Sequence, residues 1–293
     1  MYKLTLFLLI NFFSANLDAQ SCEENIPSIY ISKKARILYE DKLKQAISDY
    51  KKDPSVDNLI WLGRRQAYLG SYETAVALYS DGIKKYPKDA RFYRHRGHRY
   101  ISMRCFDLAI KDLKKAAGLT RYQDNQVEPD GLPNALGIPT STLQGNIYYH
   151  LGLTYYLQKK YHKARYAYEK CLKLAENSDS YVAAANWLYV IYRHLGQDKK
   201  AVKLLKTIKD DMDLIENHSY HTILKLYQGS IDPILLEKEI NDGESLNNTT
   251  LAFGLGNYYS INGNEAKAQI LFEMITKGNQ WSAFGYIAAE SRL

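Results

Sequence analysis

The chain has 293 residues, with 39 Lys and Arg against 32 Asp and Glu, for a formal net charge of +7. That moderate excess favours encounters with anionic lipid, polysaccharide or acidic peptide over nucleic acid, and it constrains solubility rather than fold. Three cysteines leave at least one unpaired and set no disulfide framework.

Met1 to Ala19 reads as an export signal, with Lys3 as the positive start, an apolar stretch from Leu4 to Phe13 and a polar end at Ala19-Gln20. The apolar stretch is too short to span a membrane. Cleavage after Ala19 makes 1–19 a signal peptide and leaves 20–31 as an N-terminal segment, in a chain that is periplasmic or secreted. Ala19-Gln20-Ser21-Cys22 is also a poor version of the bacterial lipoprotein box, so the alternative is a diacylated Cys22 that tethers the protein to a membrane. Cys105, at a turn between two helices, has no evident partner, and Cys171 occupies a small apolar slot.

From residue 32 to 293 the pattern is helical throughout, beginning with a helix across Lys33 to Lys52, and alternating apolar runs are nearly absent. A frame then recurs. Gly63 and Gly97 stand 34 residues apart, as do Ala75 and Ala109; Gly152 and Ala164 repeat the frame, and a bulky residue follows each alanine at Tyr79, Leu113 and Tyr168. Small residues mark where two antiparallel helices approach closely, and the bulky ones fill the space between neighbours. Gly82, Ala116 and Cys171 take a second small slot. A fourth copy keeps Leu188, Tyr192, Ala201 and Leu205 with Tyr189 in place of glycine. A worn copy is expected over Leu214–Tyr227 and Pro233–Asn241, a clean one at Gly256, Ala268 and Phe272, and a closing helix over Gln280–Ser291. The fold class is therefore all-α, an α-solenoid of about six antiparallel helix pairs in one domain.

Between the second and third copies the glycine spacing widens to 55, and the surplus falls in 119–145. Pro129, Pro133 and Pro139 deny that insertion a helix, and Asp130-Gly131 and Pro133-Asn134 are turn signals. Leu132, Leu136, Ile138 and Leu143 are too apolar for a free tail, which predicts an ordered loop or flap.

The 34-residue period and the Leu62-Gly63, Ala75, Tyr79, Pro87 frame resemble the tetratricopeptide repeat. The segment from Glu128 to Gln144, with His150-Leu151-Gly152-Leu153 and Trp281 to Glu290, looks like a group of uncharacterised exported bacterial tetratricopeptide proteins, a resemblance that carries no known activity. The repeat resemblance implies ligand binding along the concave face made by the first helix of each pair. Projected onto that face, the frame selects Arg64, Arg91, Arg94, His98, Tyr149, Tyr156, Asn186, Arg193 and Asn257. Ile60 and Arg64 stand where the carboxylate clamp of chaperone-binding members has lysine and asparagine. Forked guanidiniums beside aromatic faces suit carboxylates and extended peptides.

Arg96 takes a leucine slot and needs an acid partner; Asp124, Glu128 and Asp130 of the insertion are the candidates, which leaves Arg91, Arg94 and His98 open to ligand. His95 with His98, and His218 with His221, are spaced for a metal, but no carboxylate or cysteine completes either set. No phosphate loop, nucleophile elbow or paired-histidine protease motif occurs, so no cofactor is expected. The leading expectation is an exported scaffold, not an enzyme, that holds a peptide or protein partner, possibly acidic, along the concave face. The rivals are a binder of anionic glycan and an enzyme subunit with Glu128, Asp130 and His150 under the flap.

Overall fold

A computed structural model describes residues 22, 27, 29–240 and 245–293; the expected signal peptide, Gln20 and Asn241 lie outside them. Among the described residues the elements are helices α1 (Lys33–Lys52), α2 (Val56–Tyr68), α3 (Tyr72–Lys85), α4 (Ala90–Ser102), α5 (Phe106–Leu119), α6 (Leu143–Leu157), α7 (Tyr161–Lys173), α8 (Ser178–His194), α9 (Asp198–Leu205), α10 (His218–Gln228), α11 (Pro233–Ile240), α12 (Leu246–Ile261), α13 (Glu265–Lys277) and α14 (Phe284–Glu290). Among the described residues α2 through α13 follow one another as six helix-turn-helix units between a leading and a closing helix; five of them pack as pairs, while in the fifth α10 lies against α8 and α12, and α11 against α12, rather than on each other.

Starts and stops follow local chemistry. Ser55, Thr142, Asn177 and Ser245 cap α2, α6, α8 and α12 by accepting a backbone N–H with the side chain. The turn inside each pair places one residue in the left-handed region: Gly70, Gly196, Gly229 and Gly263 in four pairs, Arg104 (φ 59°) and Lys159 (φ 56°) in the other two. A non-glycine residue there costs on the order of 1 kcal/mol, so surrounding contacts must hold it. Arg104 has such contacts, described below.

The small-residue frame is a packing frame. A Cβ on Gly152 would stand 2.6 Å from the Tyr168 ring, and Gly63 meets Tyr79, Gly97 meets Leu113 and Gly256 meets Phe272 in the same way. Ala75, Ala109, Ala164, Ala201 and Ala268 are completely buried. Tyr189, which replaces the glycine in the fourth pair, turns forward to stack on Tyr227 at 4.4 Å. The partner helix α9 is short, at eight residues.

The first helices of the pairs, α2, α4, α6, α8, α10 and α12, stand side by side as an inner wall. Two segments cross it. Residues 120–142 form the insertion, ordered by an antiparallel bridge between Val127 and Thr142. It reaches from the first pair, where Arg64 and Arg65 donate to the carbonyls of Pro129 (2.9 Å) and Gly131 (2.8 Å), to the loop before α10, where Thr140 donates to Glu216. The second segment is C-terminal. Trp281 stacks on Tyr72 at 6.3 Å, Phe284 lies 5.3 Å from His98, and Arg104 pairs with Glu290 at 2.8 Å while its guanidinium sits 3.8 Å over the Trp281 ring. Residues 281–290 therefore join α4 across the inside of the superhelix.

Two cysteine expectations are corrected. Cys22 and Cys105 form a disulfide that closes a separation of 83 residues. Cys105, expected without a partner, is buried at the turn beside Arg104, and Cys22 is the only residue that reaches it among the described cysteines. A sulfur engaged in a disulfide has no thiol to acylate, so lipid attachment at Cys22 is set aside.

Candidate functional site

Insertion, inner wall and C-terminal segment meet around His98 and His150, whose rings lie 4.3 Å apart. On one side is a cavity of about 90 Å³ lined by Arg64, Arg94, Arg99, His95 and His98. On the other is a cavity of about 290 Å³ walled by Asp130, Tyr149, His150, Glu216, Tyr220 and Phe284.

On the arginine side the charges are paired within the chain, although Arg94 Nε and Glu128 Oε2 are buried without a partner. Arg94 is buried, pairs with Glu128 at 2.8 Å and bonds His95 Nδ1 at 3.0 Å; burial pushes its guanidinium down and the Glu128 charge pushes it back up. Because a guanidinium only donates, His95 Nδ1 is the acceptor and Nε2 carries the hydrogen toward Glu128. Burial first, and neighbouring arginines second, hold His95 well below its ordinary value. His98 is held down likewise by burial and then by Arg99.

Arg96 does not meet the insertion. Its fork closes on Asp112 of α5 at 2.7 and 2.9 Å and on Ser80. The slot points at the partner helix of the same pair, and burial pushes the Asp112 carboxyl up against the pull of Arg96. The division expected between the two arginines is therefore reversed: Glu128 meets Arg94, and Arg94 is not open.

Other residues selected for the concave face are placed as follows. Arg64 spends its fork on the insertion and stacks on Trp61 at 4.4 Å; Arg91 is held by Asp89 and Asp57; Arg193 is held by Asp198 at 2.9 Å and the Tyr189 hydroxyl. Tyr156, Asn186 and Asn257 are buried; Tyr156 packs edge-on to Trp187, and Arg292 covers Asn257 at 3.4 Å. His98 lies under Phe284. The groups that cover these residues come from near and far: Asp57 and Glu128 lie 34 residues from Arg91 and Arg94, Arg292 lies 35 from Asn257, Pro129 lies 65 from Arg64 and Phe284 lies 186 from His98. Tyr149 alone of the nine lines the larger cavity.

That cavity is lined by the insertion, α6, α7, α8, the loop before α10, and single residues of α10 and α14. Asp179, buried at the start of α8, accepts the backbone N–H groups of Ile215, Glu216 and Asn217 at 2.9, 2.9 and 2.7 Å, and so fixes the loop that carries Glu216 to the cavity mouth. The insertion supplies Asp130. Burial, then the Glu216 charge, raises its carboxyl; the Arg64 charge pulls it back down, the Glu128 charge adds to the rise and the Thr140 backbone N–H lowers it. α6 supplies Tyr149 and His150. Tyr149 shares a hydrogen bond with the Tyr220 hydroxyl at 3.0 Å and accepts one from Trp187 at 2.8 Å. His150 is 4% exposed; its Nδ1 stands 2.6 Å from the Asn146 carbonyl and is therefore the donor. Nε2 is then a bare acceptor, without a hydrogen-bond partner, as is Asp130 Oδ2. Burial, then Arg94, holds the His150 imidazole well below its usual value and neutral.

Asp130 and His150 were both named in the sequence, as acid and base of an enzyme. Glu216 and Tyr220 were not, and no motif marks them; Phe284 belongs to the Trp281 to Glu290 segment, which the sequence singled out without assigning it to a site. Cys171 is in the same wall, but burial pushes its thiol to about 12 and Sγ donates to the Gly145 carbonyl, so it is no nucleophile. Among the described residues no three of His, Cys, Asp and Glu form a group that could hold a metal ion.

The architecture defines a class, the α-solenoid of stacked helix pairs whose fold serves protein–protein interaction. Its units are tetratricopeptide repeats: the family described as "Tetratricopeptide repeat" matches residues 145–178, which take in most of α6 and all of α7, and the chain is a tetratricopeptide repeat protein. No curated protein matches the sequence. Among solved structures, MamA is similar at 19% identity over 69% of this chain and 100% of that one, with a TM-score of 0.45. YrrB, described as a tetratricopeptide protein with an unusual peptide-binding site, is similar at 16% over 86% and 98%, TM-score 0.44. A tetratricopeptide repeat protein from Parabacteroides merdae is similar at 14% over 87% and 99%, TM-score 0.48.

Proposed function

We propose that the protein is an exported scaffold that receives a segment of a partner protein at the cavity between the insertion, α6, α8 and the loop before α10. The observation that carries this reading is that two unpartnered buried acceptors, Asp130 Oδ2 and His150 Nε2, belong to residues lining one cavity. Buried polar atoms are ordinarily bonded, and a site that leaves two acceptors facing one cavity is shaped for a donor. The acidic partner first expected has less support, because Arg64, Arg91, Arg94 and Arg193 all spend donors within the chain.

Export rests on the Lys3, apolar stretch and Ala19 pattern, and on the Cys22–Cys105 disulfide, which belongs to an oxidising compartment. Mass analysis of the natural protein tests it: a mature chain beginning at Gln20 with that pair oxidised is expected, and a retained Met1 with free thiols overturns it. The partner is tested with a photo-cross-linking residue at Ser180, on the cavity wall, in living cells. A discrete protein adduct from Ser180, and not from Tyr166 on the exposed side of α7, is expected. Equal adducts from both positions, or none from either, overturn the binding site.

A further inference from the structure

The larger cavity has a chemical bias that narrows what it takes. Its donors are largely spent inside the chain: Thr140 on Glu216, Asn146 on Ser141 at 2.9 Å, Ser180 on the Asn177 carbonyl at 3.1 Å, and Asn217 on the Asp179 carbonyl at 3.3 Å. Trp187 spends its N–H on Tyr149, so one phenolic hydrogen of the Tyr149–Tyr220 pair is what those rings retain. Ser141 and Thr142 keep their hydroxyl hydrogens, and Asn146 and Asn217 one amide hydrogen each, all of them neutral donors. The unspent groups that carry charge or lie buried without a partner accept: Asp130 Oδ2, His150 Nε2 and the remaining lone pairs of Glu216.

The rings add a second bias. Tyr149, Phe284 and His150 are mutually packed, with Phe284 edge-on to His150 at 5.4 Å and 6.1 Å from Tyr149, and all three line the cavity beside the carboxylates. Aromatic faces next to carboxylates attract a cation with several hydrogens to donate, and repel an anion. A guanidinium also qualifies by charge. Its planar fork is best met by both oxygens of one carboxylate, but Glu216 Oε1 is already taken by Thr140, and the other free acceptors sit on two further elements, a spread that suits the three divergent hydrogens of an ammonium. At about 290 Å³ the space lies at the low end of small-ligand cavities, roughly 300 to 1,000 Å³, and admits a slim chain rather than a folded domain.

We infer that this cavity binds a primary ammonium group on a slim aliphatic chain, held by Asp130, Glu216 and His150 against Tyr149 and Phe284. Two sources carry that chemistry, a lysine side chain of a partner protein and a free aliphatic amine. The inference deepens the scaffold reading, and in its lysine form rests on it. The ammonium donates to Asp130 Oδ2 and His150 Nε2 inside and to Glu216 at the mouth, with its methylenes along the rings. Nothing covalent is required.

The test titrates the mature, disulfide-bonded protein with three probes by calorimetry: a lysine capped at both ends, 1-aminopentane, and the capped lysine acetylated on Nε. The capped lysine and the amine are expected to bind saturably and the acetylated probe to fail, since acetylation removes the charge and two donors. Binding by capped lysine alone assigns the source to a protein, and binding by the amine alone to a small molecule. Asp130→Asn and Glu216→Gln should each weaken binding by about tenfold or more, the scale of one charge-assisted hydrogen bond. Ala183→Met, which fills the cavity from α8 without touching a charge, should abolish binding with the circular dichroism spectrum unchanged, and so keeps the test decisive where an acid variant fails to fold. The inference is overturned if neither amine binds, or if the acetylated lysine binds as well as the free one. Should the Ser180 adduct then still form, the scaffold reading stands without the ammonium site.

Discussion

On one side of the His98–His150 ring pair three arginines crowd a cavity of about 90 Å³; on the other, two carboxylates and a bare imidazole nitrogen line one of about 290 Å³. The arginines look the more functional in sequence. Yet Arg94 has Glu128, Arg64 has the Pro129 carbonyl, and Arg99 lies over the Tyr72 ring at 5.4 Å. Unpartnered buried atoms occur on both sides, Arg94 Nε and Glu128 Oε2 on one and Asp130 Oδ2 and His150 Nε2 on the other, but only the first two belong to groups already ion-paired with each other. Charge by itself therefore points to neither site nor scaffold. What separates them is whether the chain itself supplies the counterpart.

The contrast is broken most severely by removing the internal counterpart. Glu128→Ala should destabilise the protein by about 3–5 kcal/mol, because it strands a buried guanidinium. Urea unfolding at pH 7 measures it, and a loss below about 1 kcal/mol would place Arg94 in contact with water.

Acid attacks the same region. His95, His98 and His150 are held well below their ordinary value by burial, and His194 is lowered to about 4 by burial and then Arg292. Above the unfolded value near 6.5 both states are neutral and no stability depends on these groups. As pH falls below it the unfolded chain takes up protons that the folded chain refuses, so stability declines, by up to about 1.4 kcal/mol per pH unit for each histidine. Unfolding midpoints at pH 7.5, 6 and 5 should fall in that order; a flat profile would mean that these rings take protons in the folded state.

The docking of the C-terminal segment, which brings Phe284 to the larger cavity, depends on a turn residue. Arg104→Gly suits the left-handed backbone but releases Glu290 and the Trp281 ring, and should cost about 2 kcal/mol while hastening proteolysis of the segment after α13. Equal proteolysis rates would separate the docking from Arg104. The smallest effect sharpens the contrast. Asp130→Asn should shift stability at pH 7 by less than about 1 kcal/mol, toward stabilisation, since the folded state already disfavours that charge and its partial exposure screens the gain. A loss as large as that of Glu128→Ala would make the acid side structural as well.

Much of the scaffold was legible. Gly63, Gly97, Gly152 and Gly256 face Tyr79, Leu113, Tyr168 and Phe272, sixteen residues later in every case, because one helix-turn-helix carries both members of each contact. The worn fifth copy, expected over Leu214–Tyr227 and Pro233–Asn241, falls at α10 and α11, but these helices pack on α12 rather than on each other. The insertion's order was legible in its apolar residues, and its acid in Asp130. Arg96 was misread because Asp112, also sixteen residues on, offered the same local contact, and a distant acid was preferred to it.

The sequence by itself determined the repeat, the pairing of neighbouring helices and the small-residue seams, all of which rest on contacts within about one period. Only the tertiary structure decided which inner-face residues are free. Arg104 meets Glu290 across 186 residues, Thr140 meets Glu216 across 76, and Cys22 meets Cys105 across 83. Such meetings depend on superhelical curvature, the sum of small rotations at successive pair interfaces. No single repeat's residues encode that sum, so whether the inner face is filled by the chain or left for a partner is settled only when the whole array is stacked.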